Sequence, residues 1–219
     1  HMKKLHNWII KKSLFTIWLL FFAFAVVVAL LLQLFVLPVL LPGLHAGNGL
    51  LLGGDWVGFH LIAVELSEKI HTQGWSAWEL RPYGHSAAGL AGVVYAISWP
   101  EPYMFIPVNA ALHATAGILL MRITRFFTDD VLVTFYAALP FVLYPSAMAW
   151  YAQINKDGFY FMGAFLALYG WIVLAHLPTW KSGWKQVLTG VVWIFLGIAV
   201  MGLVRTYSFQ LMQAIGYIF

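Results

Sequence analysis

The chain has 219 residues, of which 62% are hydrophobic, 17% aromatic and 9% charged, with a formal charge of +4. An ordinary soluble domain carries about 25% charged residues, so lipid must solvate much of this surface. The absence of cysteine excludes a disulfide framework and a thiolate metal site, and the basic residues sit at the ends of apolar runs, where they orient helices rather than bind nucleic acid.

No charged residue lies between Lys12 and Asp55. Residues 14–32 are apolar apart from Thr16, which is long enough to cross the hydrocarbon at about 1.5 Å per residue. Lys3, Lys4, Lys11 and Lys12 precede this run. It is too long for a signal peptide, and no small-residue cleavage site follows closely, so an anchored helix ended by Pro38, Pro42 and Gly43 is expected. In the next stretch Val57, Leu61, Val64, Leu66 and Ile70 recur at helical spacing behind Gly54-Asp55. This predicts a helix over 56–72 lying along the membrane surface.

Segment 82–100 is apolar, but its regular part, 86–99, is about fourteen residues and suits an interfacial or re-entrant helix better than a span. Its small residues Ala87, Ala88, Gly89, Ala91 and Gly92 offer a packing face. Apolar runs follow at 103–121, 131–155, 158–180 and 187–204, and 206–219 begins another.

Charge decides which runs cross. If 82–100 spans, Arg122, Arg125, Lys181 and Lys185 fall outside, against the positive-inside rule. If it does not, they join the N-terminal lysines in the cytoplasm, and of the acidic residues only Asp129 and Asp130 are inside. The expected architecture is therefore an all-α membrane protein in a single transmembrane domain over 1–219. About five transmembrane helices, near 14–37, 103–125, 131–152, 158–179 and 186–204, accompany interfacial helices in a large first non-cytoplasmic loop, 43–102. The expected location is a bacterial inner membrane, multi-pass, with a cytoplasmic N-terminus.

That topology gathers ionisable residues at one membrane face: Asp55, Arg81, His85, Lys156, Asp157, Arg205 and, beside it, Tyr207. Polar groups at membrane depth are expensive and are functional candidates by default. The plainer account is that the cations snorkel and the two aspartates cap helices; it does not explain acids and bases converging at one level. Asp55, in Gly53-Gly54-Asp55-Trp56, is placed to take a proton from an acceptor hydroxyl. Arg81, Lys156 and Arg205 suit a phosphate diester. His60, His71 and His85 match no zinc spacing, so no cofactor is required, and a divalent metal is compatible with the carboxylates without being called for. Trp56, Trp75 and Trp78 suit the interface, and sugar stacking by them is a weaker reading.

The order of these features resembles the N-terminal half of the GT-C superfamily of membrane glycosyltransferases, nearest to the protein O-mannosyltransferase and aminoarabinose transferase branch. The likeness rests on four stretches: Gly54-Asp55 with Phe59-His60-Leu61-Ile62-Ala63; Arg81-Pro82-Tyr83-Gly84-His85, followed by Asn109-Ala110-Ala111-Leu112; Tyr144-Pro145-Ser146 through Gln153-Ile154-Asn155-Lys156-Asp157; and Val204-Arg205-Thr206-Tyr207. The resemblance implies transfer of a sugar from a polyprenyl-phosphate carrier at the non-cytoplasmic face. Asp55 would be general base and Asp157 a second acid, with Arg81, His85, Lys156, Arg205 and Tyr207 near the carrier. Family members continue with further spans, so a C-terminal part or a partner subunit is implied too. The rival expectation is a non-enzymatic lipid-binding or scaffold subunit of a cell-envelope complex. A transporter ranks lower, because the charges stand at span ends and not at the midplane.

Overall fold

The computed structural model describes residues 12–176 and 183–205. Among the described residues the fold is all-α apart from one short hairpin. Among the described residues four helices are long and apolar enough to cross a membrane: Leu14–Leu40, Pro102–Thr124, Asp157–Ala175 and Trp184–Val204. The chain is a multi-pass membrane protein. Large side chains such as Phe15 and Phe195 stand 67% and 73% exposed, which water would penalise and lipid tails accept.

The helices, in chain order, are α1 (Leu14–Leu31, prolonged by a π-helical turn, Leu32–Leu40), α2 (Trp56–Gln73), α3 (Ser86–Ile97), α4 (Ile106–Thr124), α5 (Val131–Leu143), α6 (Pro145–Tyr151), α7 (Asp157–Ala175) and α8 (Trp184–Val204). Strands β1 (His45–Gly47) and β2 (Leu50–Leu51) pair antiparallel. The expected run 131–152 departs from one continuous helix. Tyr144, preceding Pro145, is extended at φ −66° and ψ 124°, because the proline ring disfavours a helical residue before it. The expected surface helix begins at Trp56, directly after Asp55, and segment 86–97 forms a helix of 12 residues, too short to span.

The chain divides into two compact units. One comprises 1–20, 114–142 and 159–219. In it the Trp18 indole donates to Thr115 Oγ1 at 3.0 Å, fixing the start of α1 to α4. Helices α7 and α8 meet through glycines seven residues apart on each: a Cβ at Gly163 would lie 2.7 Å from the Gly197 carbonyl, and one at Gly170 2.6 Å from that of Gly190. Seven residues are two turns, so each pair stacks on one face and the backbones touch, as small residues permit within membranes.

The other unit comprises 21–113 and 143–158. Ala25 and Ala29 of α1, Ile106 and Ala110 of α4, and Tyr151 and Ala152 form a buried cluster. Helices α2 and α3 pack along their lengths. As the run of small residues predicts, α3 buries Ala87, Ala88 and Ala91, and a Cβ at Gly92 would reach 2.7 Å from Leu66 Cδ2 of α2.

Candidate functional site

The site region lies in the second unit and is built on the hairpin that follows α1. Asn48 and Gly49 form its turn with φ of 49° and 74°, the left-handed pair that a two-residue hairpin turn demands. Gly49 is needed twice over, since a Cβ there would also lie 2.7 Å from Gln33 Cβ. Beyond β2 the Trp56 indole donates to the Leu51 carbonyl at 2.5 Å, and its ring meets the edge of Trp150 at 6.1 Å. The ring folds over Gly54, where a Cβ would come within 2.1 Å of it. Trp56 thereby anchors the hairpin to the start of α2.

Asp55 follows that glycine and opens α2. Its backbone is already helical, φ −66° and ψ −19°, its carbonyl accepts from Phe59 N at 2.9 Å, and its exposed carboxylate makes no capping hydrogen bond. Phe59, buried one turn on, is the hub. The His85 ring lies 5.1 Å from it and Lys156 Nζ 5.9 Å over its face. The latter is a cation–π contact that holds the ammonium in place without neutralising it.

Lys156 and Asp157 arrive on a stretch of chain with no regular structure. Residues 151–155 are all buried, and buried backbone at membrane depth requires partners. Four amide side chains hold this stretch in place. The Gln33 amide donates to the Ala152 carbonyl. The Asn109 amide donates to the carbonyls of Tyr151 and Gln153 at 3.0 and 2.7 Å. Gln153 accepts from Leu51 N at 3.0 Å and donates to the Gly49 carbonyl at 3.4 Å, tying this stretch to the hairpin before Asp55. Asn155 donates to the Trp150 carbonyl and accepts from Asp157 N at 3.0 Å, so Asn155 caps the start of α7. Asp157 is left in the first turn, where the helix dipole favours a negative charge.

Of the sequence-derived candidates, His85 and Lys156 thus meet at one aromatic ring, Asp55 lies one helical turn before it in the chain, and Asp157 follows Lys156. Arg81 is exposed four residues before His85, its carbonyl accepting from Gly84 N at 2.9 Å. Arg205 belongs to the other unit, where its guanidinium lies 4.8 Å over the Tyr160 ring. Tyr207 lies outside the described residues.

The remaining histidines of the loop serve the scaffold. His60 is 7% exposed. Asn48 Nδ2 donates to its Nε2 at 3.2 Å, which leaves Nδ1 to carry the proton and donate to the Tyr95 hydroxyl at 2.9 Å. Burial holds the His60 pKa below its usual value, against the opposing charge of Glu101. Burial first, and then Glu101, pushes that of Tyr95 up. His71 donates from Nε2 to the Ala96 carbonyl at 2.8 Å, joining α2 to the end of α3. No group of three or more His, Asp or Glu among the described residues is placed to hold a metal ion.

Sequence reasoning missed the amides Gln33 and Asn109 as the supports of the site. Their signal was their isolation: each is a lone carboxamide in an apolar run, a residue type that lipid tolerates only with a partner. The Asn48-Gly49 dipeptide was a hairpin signal of its own.

No family model matches the chain, and no curated protein and no solved structure is significantly similar to it.

Proposed function

We propose that this chain is a glycosyltransferase, or the N-terminal module of one, that moves a sugar from a polyprenyl-phosphate carrier to an acceptor at the non-cytoplasmic membrane face. The observation that carries the reading is the meeting of His85 and Lys156 at the Phe59 ring, one helical turn after Asp55, whose carboxylate is exposed and makes no capping hydrogen bond.

The chemistry needs two things. The acceptor hydroxyl must lose a proton as its oxygen attacks the anomeric carbon; Asp55 takes it. The bond to the carrier oxygen breaks with its electron pair, leaving a lipid phosphate that is already stable at neutral pH and gains most from nearby positive charge. Lys156, with His85 and Arg81 contributed by the segment before α3, supplies donors for it, and Arg205 and Tyr207 are further candidates by the family likeness. Asp157, one residue from Lys156, orients that ammonium or the acceptor. A carrier with an isoprenoid tail accounts for a site at the ends of apolar helices.

Asp55→Asn keeps the side-chain shape and cannot accept a proton. Transfer from a polyprenyl-phosphate sugar should fall by about two to four orders of magnitude, with carrier binding and folding unchanged. Transfer near the wild-type rate in this variant ends the reading, and so does a wild-type chain, assayed with any C-terminal continuation it has, that turns over no such donor.

A further inference from the structure

The unit formed by 1–20, 114–142 and 159–219 contains a cavity of about 240 Å³ with a divided lining. Three cationic side chains, Lys12, Arg122 and Arg125, line it together with the apolar side chains Leu14, Ile17 and Met121, and no lining residue is acidic. In the adjoining turn one aspartate bonds through its carboxylate and the other through its main chain. Asp130 caps α5 by accepting from Leu132 N at 2.8 Å, and the main-chain carbonyl of Asp129 accepts from the Arg125 guanidinium. All three cationic residues are exposed, whereas Ile17 and Met121 are only 1% and 2% exposed.

We propose that this cavity binds the headgroup of an anionic glycerophospholipid. The two halves of the lining match the two halves of such a molecule. A phosphate diester accepts from guanidinium forks and an ammonium, and the glyceryl and first acyl carbons lie against leucine, isoleucine and methionine. Position supports the match. Lys12 precedes the first turn of α1 and Arg122 is in the last turn of α4, so the cavity opens where two apolar helices leave the hydrocarbon. Basic pockets between helices at that level recognise anionic headgroups. A water-soluble phosphate has no use for the apolar half of the lining, and a zwitterionic headgroup returns an ammonium to a site that already holds three cations. The inference does not rest on the glycosyltransferase reading, since Lys12, Arg122 and Arg125 are outside the residues assigned to transfer.

The test is native mass spectrometry of the full chain in detergent, titrated with phosphatidylglycerol and, separately, phosphatidylcholine. The expected result is retention of phosphatidylglycerol at concentrations about tenfold below those needed for phosphatidylcholine, with Arg122→Gln weakening it about tenfold, the loss of one charge-assisted contact. Lys185→Gln, a control that removes one exposed cation elsewhere, should leave binding unchanged. Lys12→Gln is the second variant, at a residue outside any helix, so that a folding defect in Arg122→Gln does not decide the matter. Equal retention of the two lipids, or equal weakening by Lys185→Gln, overturns the proposal. Displacement of the lipid by inorganic phosphate also overturns it, in favour of a soluble anion.

Discussion

Asp55 has helical backbone angles, so its carboxylate is not turned back toward the first free N–H groups of α2 as a capping side chain would be. The plainer account of Asp55 as a cap therefore loses its support, while Asn155 supplies a cap at the start of α7. Neither outcome was readable in the sequence: an aspartate before a helical pattern looks the same whether it caps or not, because the difference is one pair of dihedral angles. His60 shows the same limit. It reads as one of three loop histidines, and only the closing of α3 onto α2 makes it a buried neutral imidazole between Asn48 and Tyr95. That burial has a consequence for pH. The folded-state pKa of His60 lies below the unfolded value of about 6.5, so the unfolded chain binds the proton more readily. The contribution of His60 to stability is complete above pH 6.5 and is lost as the pH falls below it toward the folded pKa. Thermal unfolding in detergent at pH 7.5 and 5.5 should show lower stability at the acid value, and His60→Gln should shrink the difference. An unchanged difference would place the proton uptake at another group.

At the scale of elements, length and apolar pattern identified α1, α2, α4, α7 and α8, and the helix over 86–97 is as short as its apolar run suggested. The pairing of elements was another matter. The seven-residue spacing of Gly163 with Gly170, and of Gly190 with Gly197, is visible in the chain, but which glycine faces which is a property of the packed helices. That packing makes a sharp prediction. A Cβ at Gly197 would lie 2.4 Å from both Ala167 N and the Gly163 carbonyl. Both are backbone, which no rotamer change can move aside, so Gly197→Val should destabilise the protein by about 1–3 kcal/mol or more. Gly43, where an added Cβ would meet nothing within 4 Å, is the control, and Gly43→Ala should cost far less. The buried amides make a second prediction. Gln33→Leu suits the apolar surroundings of α1 but strips the Ala152 carbonyl of its donor. The expected cost is about 1–3 kcal/mol, and proteolysis near 152–156 should quicken. A variant as stable as the wild type would mean that this carbonyl is satisfied in another way.

At the scale of the molecule, the number and direction of the crossings are what labelling tests. Lys12, before the start of α1, lines a cavity with Arg122 and Arg125. Gln153 bonds to the hairpin that follows the far end of the same helix segment, Leu14–Leu40. That segment is 27 residues long, about 40 Å at 1.5 Å per residue, more than the roughly 30 Å of hydrocarbon. The charge pattern would put Lys12, Arg122 and Arg125 in the cytoplasm and Asp157 across the membrane, with the path through α5 and α6 crossing between them. The chain has no cysteine, so single cysteines can be introduced without a background. With an impermeant maleimide on intact cells, Lys69→Cys and Asp157→Cys should label, and Arg122→Cys and Lys185→Cys should label only after permeabilisation. The pattern of failures is informative. If Arg122→Cys labels from outside and Asp157→Cys does not, segment 82–100 crosses. If both are shielded while Lys185→Cys labels, the path through α5 and α6 does not cross, and the contact of Lys156 with Phe59 could not exist in the membrane.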